Sequence, residues 1–443
     1  MRSDLNASAI NNLKVQVMRK YLFYLLLAIA TCIITGCSDN YAEEPNQPKA
    51  MTHEVTQNDA LQHLNKILPD LKIPSTRGAA ERSLPPITSS YSVGSHSSTR
   101  SDGEVEPYFH IFNFGNNEGF AIMSGDDRVA PLLALTFKGE LTPDTEIDNP
   151  GFKIAYEMME DYYVEQVSTS SLGGGNGSLP IDPGDNPELE RYSIVGDPVT
   201  IYHDMPTGFC QVKWGQEYGY NYYCPRISNQ LSPAGCVAVA VAQLMSMYEY
   251  PSSYNGFMFD WDYMKQYRGI PIGIPITDLS NIARLMQQLG LSQNLAMQYG
   301  LNGSGTTADR VPITFENFGY SNGGDDNSYN TDDVVDELLA GYPVLIGGSD
   351  GYIPHMWLGH GVMEYHRKTY LYNGYDQLVS IFNLDLFYIL CNWGKYGYDD
   401  GYYLSNVFSK NEGPRYPEPV STRSDEAEEN YQYNIITITN IRK

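Results

Sequence analysis

The chain has 443 residues, 42% of them hydrophobic and 12% aromatic, enough to bury a sizeable core and to exclude a largely disordered protein. At roughly 150 residues per domain, that length predicts two or three domains. Acidic residues number 53 against 28 basic, and the resulting net charge of -25 repels phosphate backbones and argues against nucleic acid as a partner.

In chain order, Arg19 and Lys20 precede "YLFYLLLAIATCIITGC", a basic start followed by an apolar run too short to span a membrane comfortably. It predicts an export signal over residues 1–37, with Met18 reading as a natural start. The end of the run, "ITGC", resembles a bacterial lipobox. That resemblance implies a lipid on Cys37 and a cell-envelope lipoprotein, at the cell surface or released after processing, touching the membrane through the lipid alone. Residues 38–50 are polar and Pro-containing and read as a tether. Leu61, Leu64, Ile67 and Leu68 stand at helical spacing and predict a helix over 58–68. Residues 75–104, rich in Ser, Arg and Gly, read as a loop. In "YFHIFNFGNNEGFAIMSGDD" two β-prone runs flank a Gly-Asn-Asn turn and predict a hairpin, "RVAPLLALTFKGEL" predicts another strand, and residues 150–167 a helix. With the tether, these make a small α+β domain spanning 38–167. Residues 168–189 are dominated by Gly, Ser, Pro and Asp without an apolar period, so 168–195 is read as an exposed linker open to cleavage. Residues 196–443 form the larger domain, closing on a strand within "YQYNIITITNI".

Cys32 and Cys37 belong to the signal; Cys210, Cys224, Cys236 and Cys391 remain. Four such cysteines could pair, Cys210 with Cys224 for instance, but they are too sparse for a disulfide scaffold, and no Cys or His spacing points to a metal, so no cofactor is expected. Cys236 stands apart. Ser232, Pro233 and Gly235 break the chain before it; Val237, Val241, Leu244, Met245 and Tyr248 follow at helical spacing until Pro251. A thiol in the first turn of a buried helix feels unpaired N–H groups and the helix dipole, which favour the thiolate. A plain core cysteine is the bland alternative. A nucleophile also needs a base, an oxyanion donor and an orienting group. Candidates in the same domain are His355 and His360 as base, Gln216 in "WGQEYGYN" as oxyanion donor, Asn392 to accept from an imidazole N–H, and Trp393 to shield that bond.

This ordered set resembles the streptopain family of papain-like cysteine peptidases, over roughly residues 197–441. "GCVAVAVAQLMSMYEYP" is similar to that family's nucleophile segment, "WGQEYGYN" to its oxyanion segment, and "CNWGKYGYDDGYYL" to its Asn-Trp-Gly segment. "FNFGNNEGFAIMSGDDRVAPLLALT" resembles the propeptide of these zymogens, which also occurs as a free inhibitor. The histidine segment fits in two registers. Laid without a gap from Pro343 and Val344, it selects His355 and matches Trp357 and Gly361, but puts Pro354 for a glycine and His360 for an aspartate. Aligned on "GHG" it selects His360 and loses the Trp match. Two further departures are "GKYG", where the family has Gly-Trp-Gly-Gly, and an insertion over 373–387, read as an extended hairpin.

The resemblance implies an α+β papain-like domain behind a small α+β pro-domain. It implies a cysteine endopeptidase acting on proteins or peptides, made as a zymogen whose pro-domain blocks the cleft until the linker is cut. A non-catalytic lipoprotein keeping the fold for binding or inhibition is the alternative, and acyl transfer at the same thiol a third reading.

Overall fold

This computed structural model describes residues 53–71, 83–99, 105–171, 191–203, 205, 208–349, 354–409 and 434–443. Cys37, the tether and most of the linker lie outside them.

The first helix, α1 (Gln57–Ile67), starts where Thr56 and Asp59 close a reciprocal cap, and it buries Ala60, Leu64 and Ile67 along one face. Four strands follow: β1 (Ile87–Thr99), β2 (Val105–Phe114), β3 (Phe120–Ser124) and β4 (Leu132–Thr136). They form an antiparallel meander, with the hairpin between β2 and β3 where the Gly-Asn-Asn turn falls. The strand β1 corrects the reading of 75–104 as a loop. Its Ser and Thr residues carry no apolar run, yet Ile87, Tyr91 and Val93 recur at period two and face Phe114, Ile111 and Phe109 across the ladder. An edge strand needs little more. The helix α2 (Pro150–Ser171) then runs four residues past its expected end, into the start of the linker.

The last five residues of the expected linker are instead a paired strand, β5 (Arg191–Val195), which with β6 (Val199–His203) leads into a helical layer: α3 (Cys236–Tyr248), α4 (Ile276–Leu289) and α5 (Arg310–Asn317). Among the elements that follow are β7 (Asp325–Ser328), α6 (Thr331–Leu339), β8 (Val344–Ser349), β9 (Pro354–Asn373), β10 (Leu378–Asn392), β11 (Gly401–Leu404) and β12 (Ile436–Thr439). β9 and β10 are the long hairpin expected at the insertion, and Asn373 turns its tip by accepting the backbone N–H groups of Tyr375 and Gln377.

These twelve strands form one sheet, in the order β1-β2-β3-β4-β11-β10-β9-β8-β12-β7, with β5 and β6 also paired to β9, and two short two-stranded ribbons stand apart from it. The two expected domains are therefore not separate bodies. β4 pairs β11 through Ala134, Leu135 and Thr136 opposite Tyr403, Tyr402 and Gly401. A side chain at Gly401 would meet the Leu135 carbonyl oxygen at 2.2 Å, so glycine permits that close approach. One apolar core runs through the join, from Leu64 and Phe109 to Tyr365, Tyr388 and Trp393. A second core packs α3 between α4 and the β8–β9 face. Among the described residues no helix is long and apolar enough to cross a membrane.

Candidate active site

Cys236 opens α3. Its N-cap, Gly235, has φ +93° and offers no side chain to cap the N–H groups of the first turn. A Cβ at Gly235 would also crowd Ser304 O at 2.8 Å and Met297 Sδ at 2.9 Å. The rest of α3 is buried almost all round, which fixes the thiol at the edge of a rigid element.

His355 arrives from the second residue of β9, opposite Gly348 of β8. Its imidazole is hydrogen-bonded to the Cys236 thiol. Its Nε2 lies 2.9 Å from the Trp393 carbonyl oxygen. A carbonyl only accepts, so Nε2 donates and Nδ1 is the nitrogen left for sulfur. Burial pushes the Cys236 thiol up, but the charge and hydrogen bond of His355, with the N–H groups of Met356 and Val237, bring it below an ordinary thiol. Burial likewise opposes the imidazolium. The Cys236 charge and hydrogen bond, with the Trp393 carbonyl, still hold the His355 pKa above an ordinary histidine, while Lys395 works against it. Opposite shifts on two touching groups favour moving the thiol proton toward the imidazole.

The second histidine has different surroundings. His360 lies deeper in β9, its Nδ1 accepting the Cys210 N–H at 3.1 Å. Burial first and Lys213 second push it down to about 3, so it stays neutral. Cys210, Cys224 and Cys391 are buried free thiols, the first two pushed up by burial to about 12 and about 11 and Cys391 well above its usual value.

Gln216 lines the same cleft as His355. Its carbonyl accepts the Ala234 N–H at 2.9 Å, which ties its loop to the segment carrying the thiol. Asn392 is buried, but it does not take the expected bond. Its Nδ2 donates to Val212 O at 3.0 Å, its Oδ1 accepts the Gly394 N–H at 3.1 Å, and the neighbouring Trp393 carbonyl holds the imidazole instead. A backbone carbonyl leaves no mark in a sequence, so that substitution of roles is invisible there. Trp393 is wholly buried and packs 4.9 Å from the ring of Trp357 and 5.0 Å from that of Tyr403. Its N–H donates to buried Asp400 at 3.0 Å and its indole to Asp399 O at 2.9 Å. Asp400 is the site residue the sequence reading passes over, though its Asp-Asp-Gly stood inside the Asn-Trp segment.

The segment leading into α2 lies against His355. Asp148 and Pro150 line a cleft of about 460 Å³ together with Gln216, His355, Lys395 and Tyr396. Buried Asn149 clamps it to the far wall, donating to Asp399 Oδ2 at 3.0 Å and Tyr398 O at 3.3 Å. For a metal, the described residues offer one grouping, His53 with Asp126 and Asp127. Asp126 there is already committed to Arg128 through two short bonds.

A thiol at a helix start paired to an imidazole on the facing sheet defines a cysteine-peptidase-like site. Residues 214–403 match the family model described as Peptidase C10 family, and residues 52–162 the one described as Spi protease inhibitor. Residues 214–403 thus form a Peptidase C10 family domain with a papain-like peptidase fold, behind an inhibitor-type propeptide domain. The thiol protease/hemagglutinin PrtT of Porphyromonas gingivalis is 25% identical over 291 residues, which cover 58% of this chain and 31% of that protein. The chain spans about a third of that relative's length. A fragment of Prevotella intermedia prointerpain A shares the fold with a TM-score of 0.50 and 18% identity, over 80% of this chain and 99% of that one.

Proposed function

We propose that this chain is the zymogen of an exported cysteine endopeptidase that hydrolyses peptide bonds in proteins or peptides. The observation that carries the reading is the hydrogen-bonded Cys236–His355 pair, its thiol lowered and its imidazole raised. Cys236 is the nucleophile, and its thiolate adds to the scissile carbonyl. The developing oxyanion takes hydrogen bonds from the Cys236 N–H and the Gln216 amide. The His355 imidazolium gives its proton to the leaving amine as the C–N bond breaks. The neutral imidazole then takes a proton from water, which attacks the thioester and frees the acid and the thiolate. Asn392 and Trp393 act as positioning residues, the first by fixing the Gly394 turn and the second by presenting its carbonyl to Nε2 and burying that bond.

In the same reading the pro-domain is the intramolecular inhibitor. Cleavage in 168–195 starts its removal, and a lipid on Cys37 holds the chain at the cell envelope. The test is intact mass after incubating the chain from Ser38 with reductant near pH 7, beside Cys236→Ala. Loss of the first part of the chain, up to the linker, in the wild type alone is the expected result. Equal cleavage of both forms, or a linker-cut wild type inert on casein, would leave the non-catalytic binding reading in its place.

A further inference from the structure

In "GKYG" this chain carries a lysine where the family it resembles has tryptophan. Lys395 sits two residues after Trp393, whose carbonyl holds His355. Its ammonium lies 3.2 Å from a carboxylate oxygen of Asp148 and 3.4 Å from the Asp148 carbonyl oxygen. Both residues line the cleft that also holds His355 and Gln216. Among the described lining residues Lys395 supplies the one ammonium, and Glu217 brings an opposing charge nearby. The pro-domain segment thus lays a carboxylate on this ammonium in the cleft that holds the imidazole, Asn149 ties the segment to Asp399, and Gly151 lets it lie close against His355.

We propose that Lys395 selects an acidic side chain on the leaving-group side of the scissile bond, and that Asp148 holds that place in the uncut chain. The proposal rests on the cysteine-peptidase reading above. The side follows from the chemistry: the imidazole must protonate the departing amine, so residues next to it face the leaving group. The sign follows from charge. The residues beyond the linker are still acidic on balance and repel acidic peptides in general, so an acid can be preferred only where a local cation overrides that field. When the pro-domain leaves, Lys395 loses its carboxylate and a substrate carboxylate replaces it. The pair stays partly open to water, with Lys395 about a third exposed, so its effect weakens as salt rises.

The experiment uses the full chain after reductive incubation. A casein-derived peptide that it cuts is remade with Asp, Asn or Lys at each of the two positions following the scissile bond. The readout is the ratio of kcat/KM values within each set. Wild type is expected to favour Asp over Asn by about tenfold, the equivalent of ~1.4 kcal/mol, at one of those positions. Lys395→Arg keeps the ratio, Lys395→Ala brings it to about one, and Lys395→Glu turns the preference to Lys. A wild-type ratio near one, or the same ratio in Lys395→Ala, overturns the proposal while the Asn peptide, still hydrolysed, leaves the peptidase reading intact. Absence of turnover for every peptide by every form overturns both.

Discussion

Gly151 lies against the imidazole of His355. A Cβ built on it would fall 2.6 Å from Cδ2 of His355 and 2.4 Å from Cε3 of Trp393. The helix α2 therefore begins on top of the His355 imidazole, which keeps its hydrogen bond to the Cys236 thiol. A cover over an assembled site, rather than a dismantled site, is the arrangement this contact describes.

The smallest side chain at that point should lift the cover. Gly151→Ala forces a methyl into two buried rings, an overpacking cost of about 1–3 kcal/mol. The full chain is then expected to process itself roughly 5- to 150-fold faster under reductant. A time course of intact mass measures this, and an unchanged rate would mean that α2 tolerates the methyl without moving off the site.

Among the described cysteines, one thiol should be reactive near neutral pH. Cys236 is lowered by its imidazolium partner, whereas Cys210, Cys224 and Cys391 are raised by burial. The thiolate of Cys236 should persist to acid of the ordinary thiol pKa, and the imidazolium to alkaline of the ordinary histidine pKa. Alkylation by iodoacetamide at pH 6 is expected to modify Cys236 alone, as read by peptide mapping. His355→Ala removes the partner and should return the rate to the slow, alkaline-rising profile of a plain thiol. His360→Ala should leave that profile unchanged.

Much of this site was legible because its residues sit at marked places in the chain. Cys236 follows a helix break, and Gln216 and Asn392–Trp393 fall in recognisable segments. The choice of base was legible only in part: the gapless register favours His355, a second register keeps His360 open, and the contacts to Cys236 and Cys210 set the two apart. The bond made by the Trp393 carbonyl was invisible for a different reason: any residue has a carbonyl. The fold followed the same rule. Helices with a strong apolar period, such as the one opening at Gln57, could be read, while the polar edge strand Ile87–Thr99 exists by pairing with its neighbour. The join of Leu135 to Tyr402 is a tertiary event that no local pattern announces.

Asp400 should matter more than its silence in the sequence suggests. It is buried, accepts the Trp393 N–H and faces Lys213 at 3.7 Å. Asp400→Ala leaves that N–H and a nearby ammonium without an acceptor, a loss of about 2–4 kcal/mol in stability. Because Trp393 holds His355, the pH profile of turnover should move as well. Asp400→Asn keeps an acceptor and should restore the profile more than the stability. A profile identical in all three forms would assign Asp400 to folding alone.

The grip of the pro-domain should weaken above neutral pH. Glu160, on α2, is pushed up to about 7, first by burial and then by Asp161 and Glu157. In the unfolded chain it titrates near 4.5, so between these values the folded state binds the extra proton. Stability from this group is fully present below about 4.5 and is lost as pH rises through about 7. Glu160→Gln removes the titration. With solvent screening taken into account, the variant should gain on the order of 1–2 kcal/mol at pH 8 and nothing near pH 4.5. Thermal unfolding of Cys236→Ala, with and without Glu160→Gln, measures the difference without interference from cleavage. If the Tm gap between the two forms is the same at pH 5 and pH 8, Glu160 does not set the pH response, and the carboxylates of Asp161 and Glu157 become the groups to replace.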